Sequence, residues 1–289
     1  KFKVILLIID IKGNLHEVAN KLGIENLSIF EKKSKLFGII NKKIFFISKF
    51  LYYTYLLFKF PIIVKNKKAN FVFAHLEIAG LISSFYENIL NYKSFYFRHN
   101  TDAHIIDGNY KSKLINTLVN SLAKKIVCVS SAVKYQLIHK EKVDSKKLYQ
   151  INYGYDFKLL HNFKSYRKNK IKKLNRNCIN LITIGRLVDL KRQILIFKLM
   201  LKLSSSNNKY NLLCLGSGAN QKKLKQFIKK NKLKNVFMLG YKRNILDYIK
   251  NSNILIHFSQ SESFGHVVLE AALAKKTVIV CKNVGIFNS

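Results

Sequence analysis

Short apolar runs of strand length alternate with longer stretches of helical spacing along this chain, and after a polar interruption the alternation starts again. The first series of runs is Lys3–Ile9, Asn70–Ala74, Ser94–Arg98, Lys125–Ser130 and Leu148–Ile151. The second is Ile179–Ile184, Tyr210–Leu215, Asn235–Leu239, Asn253–His257 and Thr277–Cys281. Such an alternation predicts parallel sheets covered by helices, an α/β class built of two Rossmann-like, doubly wound domains. One intervening segment shows the helical period well, with Leu114, Ile115, Leu118, Val119 and Leu122 on one expected face.

Between the two series, from Phe157 to Asn177, the chain turns to Lys, Asn, Arg and Ser, the composition of a linker. The expected division is an N-terminal domain over residues 1–160, a linker over 161–178 and a C-terminal domain over 179–289. Doubly wound sheets bind ligands at the carboxyl ends of their strands, so the cleft between the two domains is the expected site. A chain of 289 residues with 48% apolar content can bury the cores that this division requires.

Lys and Arg number 52 against 15 Asp and Glu, a net charge of +37. That excess points to an anionic partner: phosphate, nucleic acid or an acidic membrane. Heavy use of Lys, Asn, Ile and Phe with a single Pro and no Trp shows that part of it is compositional bias. A nucleic-acid-binding module should concentrate its cations on one face beside base-stacking aromatics. Here they are spread along the chain, so that class is the weaker alternative and no nucleic-acid partner is expected.

Cys128, Cys178, Cys214 and Cys281 lie far apart and suggest neither a disulfide framework nor a metal cluster. Lys1–Asp10 reads as a first core strand rather than a signal peptide, which makes the cytoplasm the default compartment. Ile44–Val64 is long enough to span a bilayer, but Lys49, Lys59 and Pro61 interrupt it. The expected structure is an amphipathic helix with Ile47, Phe50, Leu51, Leu57, Phe58 and Ile62 towards the sheet and Lys42, Lys49, Tyr52 and Lys59 outwards. That outer face is a candidate for peripheral attachment to the inner face of an anionic membrane.

The segment Ser259-Gln260-Ser261-Glu262-Ser263-Phe264-Gly265-His266-Val267-Val268-Leu269-Glu270 follows a strand and opens a helix. Two carboxylates around a Phe-Gly turn at a helix start suit a ligand carrying both hydroxyls and an anion. The carboxylates accept from hydroxyls, while the free N–H groups and the helix dipole face phosphate. By spacing alone, Glu262 as a helix cap and Glu270 as a solvated helix residue remain equally open. Ile184-Gly185-Arg186-Leu187-Val188-Asp189-Leu190-Lys191 also follows a strand. Arg offers a bidentate fork to a diphosphate and Lys a point charge. Arg98-His99-Asn100-Thr101-Asp102 ends a strand, and a His there can hydrogen-bond a sugar or carry a proton. Gly216-Ser217-Gly218 reads as a tight turn rather than a phosphate loop.

These segments resemble the family 4, or group 1, glycosyltransferases, retaining enzymes of the GT-B fold with two Rossmann-like domains facing a cleft. The stretch from Glu262 to Glu270 resembles the family's E-x7-E motif, Gly185-Arg186-Leu187 its Gly-Arg-Leu loop, and His99 to Asp102 its His-Gly-Thr-Asp loop. Asn100 stands in a Gly position of that loop, and Tyr153 where Asn is usual before Gly154. The resemblance implies a metal-independent hexosyltransferase that takes a nucleoside-diphosphate-sugar as donor substrate and needs no cofactor. It implies His99, Asp102 and Glu262 as catalytic residues, and Arg186, Lys191, Glu262, Phe264, Gly265 and Glu270 as donor-binding ones. The acceptor would be a glycan or a lipid-linked glycan in surface polysaccharide or lipopolysaccharide assembly. The family continues further, with a last helix crossing back to the first domain, so the C-terminal domain is expected to be incomplete. A truncated transferase that binds nucleotide without turnover is the alternative this leaves.

Overall fold

The computed structural model describes residues 3–11, 14–30, 42–101, 110–154, 177–204 and 209–281. Its strands are β1 (Ile5–Ile11), β2 (Glu25–Phe30), β3 (Phe71–His75), β4 (Lys93–Arg98), β5 (Ile126–Cys128), β6 (Leu148–Gln150), β7 (Ile179–Ile184), β8 (Tyr210–Leu215), β9 (Val236–Gly240), β10 (Ile254–His257) and β11 (Thr277–Val280). The helices between them are α1 (Asn14–Lys21), α2 (Lys42–Asn66), α3 (Glu77–Glu87), α4 (Tyr110–Leu122), α5 (Ser131–His139), α6 (Gln193–Leu203), α7 (Gln221–Lys230), α8 (Ile245–Asn251) and α9 (His266–Leu273). The strands form sheets of order β1-β2, β3-β4-β5-β6 and β11-β10-β7-β8-β9. The β1-β2 and β3-β4 pairs and every pair of the five-stranded sheet are parallel. The α/β class with parallel sheets is therefore as the alternation predicts. Strand β2 is one that the alternation did not single out.

The chain divides into two compact units, residues 1–97 with 114–126, and residues 98–113 with 127–289. In the first, α2 buries Leu56, Phe60 and Val64, one residue per turn, against Ile82 of α3 and Tyr92. This corrects the face expected for α2: Leu57, Phe58 and Ile62 are exposed. Apolar residues run all round this helix, so spacing offered more than one face and only its neighbours could choose. Pro61 lies inside α2 and cannot supply the N–H that the Leu57 carbonyl would receive four residues on. The Tyr86 hydroxyl donates to that carbonyl instead, at 2.7 Å. Lys59 is exposed, while the expected side-chain positions of Lys42, Lys49 and Tyr52 lie outside the described residues.

Helix α4 corrects the periodicity in the same way. It buries Val119 together with Asn116 and Asn120, and Leu114 and Leu118 face outwards. Its buried stripe is rotated from the apolar one because the Asn side chains, which apolar spacing ignores, lie on the inner face.

The second unit contains the five-stranded sheet, covered on both faces. Leu181, Leu212 and Cys214 meet Ile196, Phe197 and Met200 of α6 and Leu224 of α7 on one side. On the other, Ile182, Ile184, Leu213, Leu215 and Leu255 meet Ile249 of α8 and Val268 and Ala271 of α9. Neighbouring residues of one strand thus serve opposite faces, as the pleat requires, and both being apolar gives the continuous hydrophobic runs of a buried parallel sheet. The loops after β7, β8 and β10 emerge at the carboxyl end of this sheet.

Candidate functional site

The loop after β7 is built on the loop after β8. Gly185 N–H donates to the Leu215 carbonyl at 3.0 Å, Leu187 N–H to Ser217 at 2.9 Å, and Asn220 N–H back to Leu187 at 2.9 Å. A Cβ on Gly216 would come within 1.9 Å of the Gly185 carbonyl oxygen, and one on Gly218 within 2.5 Å of the Leu187 carbonyl oxygen. The two glycines therefore let one backbone lie directly on the other. Arg186 is exposed at the tip, and Gln193 Nε2 holds its carbonyl at 2.8 Å. A 3₁₀ turn over Asp189–Lys191 then ends at Arg192, whose backbone is left-handed at φ 49°.

The same turn anchors the loop after β10. Gln260 N–H donates to the Leu190 carbonyl at 2.9 Å, and Ser259, fully buried, donates to the Ser261 carbonyl at 2.7 Å. This stitching brings Lys191 to Glu262: the Lys191 ammonium bonds Glu262 Oε2, and His257 Nε2 reaches the same oxygen at 3.0 Å. Burial by itself would push the Glu262 carboxyl up. The His257 hydrogen bond and the Lys191 charge outweigh it and hold the carboxyl at about 2. Glu262 is thus an anion clamped on one oxygen.

Gly265, left-handed at φ 94°, turns the chain into α9, where its carbonyl accepts from the Val268 and Leu269 N–H groups. The first N–H groups of a helix have no partner within it. One turn further in, Glu270 is half-buried and its Oε2 is sealed from solvent without a hydrogen-bond partner among the described residues. Burial pushes its carboxyl up. An orphaned carboxylate oxygen at a helix start is a receptor for a hydroxyl that the protein itself does not supply.

Beside this turn lie the residues around His99, in the same unit. Arg98 is fully buried, pairs with Glu141 at 2.9 Å, and donates from Nε to the Asn100 carbonyl at 3.0 Å, which fixes the loop. His99 Nδ1 bonds the Tyr153 hydroxyl. Tyr153 in turn packs on His266 at 5.0 Å and on Phe264 at 5.5 Å between ring centroids. Burial pushes the Tyr153 phenol up, so it stays a hydroxyl. The Thr101 and Ser261 hydroxyls bond at 2.5 Å, and Ser130 donates to the Ser263 carbonyl while capping α5.

Of the residues singled out in the sequence, Lys191 and Glu262 are joined directly, and Phe264 and Gly265 form the turn that leads to Glu270. His99 reaches that turn through Tyr153. Among the described residues Arg186 makes no side-chain bond to this group, and it stands exposed at the loop tip. Asp102 lies outside the described residues. His257 and the role of Tyr153 were missed. The signal for His257 was available, a polar residue closing an otherwise apolar parallel strand, at the strand end where ligands bind. Among the described residues no group of three His, Cys, Asp or Glu side chains is placed to hold a metal ion, and no helix is long and apolar enough to cross a membrane.

The crystal structure of Anabaena HepE in complex with UDP and glucose superposes on 98% of this chain and 74% of that one, with a TM-score of 0.73 at 16% identity. The fold is GT-B. A glycosyltransferase from Rickettsia africae has the same fold, with a TM-score of 0.67 at 19% identity over 97% of this chain and 71% of that one. In sequence, residues 165–289 match the family model of glycosyl transferases group 1. An uncharacterised glycosyltransferase of Methanocaldococcus jannaschii is 22% identical over 223 residues, which is 76% of this chain and 58% of the relative. The chain spans 58% and 42% of the length of the two archaeal relatives it matches. The Lys191–Glu262 pair lies in the loops after β7 and β10, at the carboxyl end of a doubly wound sheet, where such sheets bind ligands.

Proposed function

We propose that this chain is a glycosyltransferase that moves a hexose from a nucleoside-diphosphate-sugar, with retention and without a metal ion. The observation that carries the reading is the orphaned Oε2 of Glu270 one turn above a left-handed Gly265, in the helix that follows the loop where Glu262 pairs with Lys191. Glu270 accepts from the ribose hydroxyls. Arg186 and Lys191 neutralise the diphosphate, each charge-assisted bond contributing about 1.5–3 kcal/mol. Glu262 accepts from hydroxyls of the transferred sugar, next to Phe264 and Gly265. His99 and Asp102 act at the reacting sugar or the acceptor. HepE, whose fold this chain shares, has been crystallised with UDP-glucose, which supports the donor class.

Two cations at the leaving diphosphate supply the charge that a metal would otherwise bring, which favours metal independence. The acceptor is a glycan or a lipid-linked glycan of surface polysaccharide or lipopolysaccharide assembly, reached from the cytoplasmic side. Lys59 and the other cations of α2 would hold the protein to an anionic bilayer. Unchanged binding to anionic vesicles after neutralising Lys42, Lys49 and Lys59 removes that attachment. The two-domain division at a linker over 161–178 belongs to the same reading.

Calorimetric titration of UDP and GDP against the protein and against Glu270→Ala tests the donor site. Saturable binding of one nucleotide, lost in the variant, is the expected result. Equal binding by both proteins rules out Glu270 as the ribose receptor, and no binding to either rules out the donor site.

A further inference from the structure

His257 closes β10 with its imidazole buried, 5% exposed, in a strand whose other residues are Ile254, Leu255 and Ile256. A polar ring in such a place costs free energy unless it is hydrogen-bonded. Its Nε2 lies 3.0 Å from Glu262 Oε2. A carboxylate only accepts, so the imidazole is the form with its proton on Nε2 and donates. Lys191 donates to the same oxygen. Both protein donors therefore fall on Oε2, and Oε1 receives none from the described residues.

Lys191 carries three N–H donors and can bond a phosphate and Glu262 together. His257 is a second, independent donor on the same oxygen, and two donors on Oε2 keep the carboxyl plane fixed. His257 and Glu262 are five positions apart, and the loop between them is held by Gln260 and Ser259, so the pair is set by the fold rather than by the ligand.

We infer that His257 is a positioning residue: it holds Glu262 by Oε2 so that Oε1 accepts from a hydroxyl of the donor sugar. The inference rests on the donor-site reading above. It ties His257 to the sugar through Glu262 and not to the nucleotide.

The test compares each nucleotide with its sugar ester: UDP with UDP-glucose, UDP-galactose and UDP-N-acetylglucosamine, and GDP with GDP-mannose. Affinities are measured by calorimetry on the wild type, His257→Leu, His257→Gln and Glu262→Gln. The wild type binds one sugar ester more tightly than its diphosphate. His257→Leu is expected to lower that preference about tenfold while leaving the affinity for the bare diphosphate unchanged. His257→Gln, which offers an amide N–H near the Nε2 position, restores most of it. Adding His257→Leu to Glu262→Gln brings no further loss, because the two act as one unit. An equal drop for ester and diphosphate marks His257 as a packing residue and overturns the inference. A wild type without preference for any ester, or an unaltered preference in His257→Leu, overturns it too. If no nucleotide binds the wild type, the donor-site reading falls first and the inference with it.

Discussion

Lys191 and Glu262 stand 71 positions apart in the chain and share one hydrogen bond in the fold, with Oε2 as its acceptor. Each follows a different strand of the same parallel sheet, and Gln260 and Leu190 join the two loops through the backbone. Lys191→Met removes a cation from the diphosphate site and leaves Glu262 to His257 alone. UDP or GDP affinity should fall about 10- to 100-fold, the size of one charge-assisted bond. Calorimetry reads it, and an affinity within twofold of wild type would mean that Lys191 serves only Glu262.

Glu262 also predicts an acid limb in stability. Its carboxyl sits at about 2 in the fold against an ordinary value of 4.5. A depressed acid stabilises the folded state above its unfolded value and loses that contribution as pH falls through the folded one. The window is therefore from about pH 4.5 down to about pH 2. The contribution is on the order of 3 kcal/mol. Urea unfolding at about pH 6 and about pH 3 should show a smaller loss in Glu262→Gln than in wild type. Parallel losses in the two proteins would contradict the clamp.

Glu270 has the opposite sign. Burial raises its carboxyl, and Oε2 lacks a partner, so its ionised form destabilises the ligand-free protein once pH exceeds the raised value. Glu270→Gln should unfold about 1–3 °C higher than wild type near neutral pH, with the advantage vanishing in acid. The same variant should bind nucleotide more weakly. A gain in one with a loss in the other is the mark of a group kept for its ligand. A lower Tm would place an unseen partner on Glu270.

Gly218 carries the packing of the loop that presents Arg186. Its φ of 158° is near-extended, so the cost of Gly218→Ala comes from contact: the new Cβ would stand 2.5 Å from the Leu187 carbonyl oxygen. Backbone must shift, and a destabilisation of about 1–3 kcal/mol is expected. Nucleotide affinity should drop with it, because Gly185 and Leu187 are bonded to the displaced segment. Thermal unfolding and a UDP titration check both, and wild-type values in both would show that the loop tolerates the displacement.

Tyr86 and Pro61 give a prediction away from the site. The Tyr86 hydroxyl serves the Leu57 carbonyl that Pro61 leaves without its helical donor. Tyr86→Phe should cost about 1 kcal/mol. In a Pro61→Ala background the restored N–H makes the same change nearly neutral. A double-mutant cycle by urea unfolding reads the difference, and equal costs in both backgrounds would refute the substitution of one donor for the other.

The alternation of strand and helix was legible from residue order because period and run length are local properties. That is why Ile179–Ile184 and Tyr210–Leu215 have the same bounds in sequence and structure. Glu262, Glu270 and Lys191 stood out as candidates because they lie in segments that follow strands, where such sheets bind ligands, and that resemble the E-x7-E and Gly-Arg-Leu motifs. Helix faces were not. Apolar residues surround α2, so the choice of its buried side fell to Ile82 and Tyr92, and on α4 Asn116 and Asn120 lie inward with Val119. The Glu262 clamp was not legible either. Its partners lie 5 and 71 positions away, and only the stacking of β7 beside β10 brings Lys191 and His257 to one oxygen. Sequence sets what each segment prefers by itself. Distances of a few ångströms between segments, which decide charge and hydrogen bonding, exist only once the sheet has set the register of its strands.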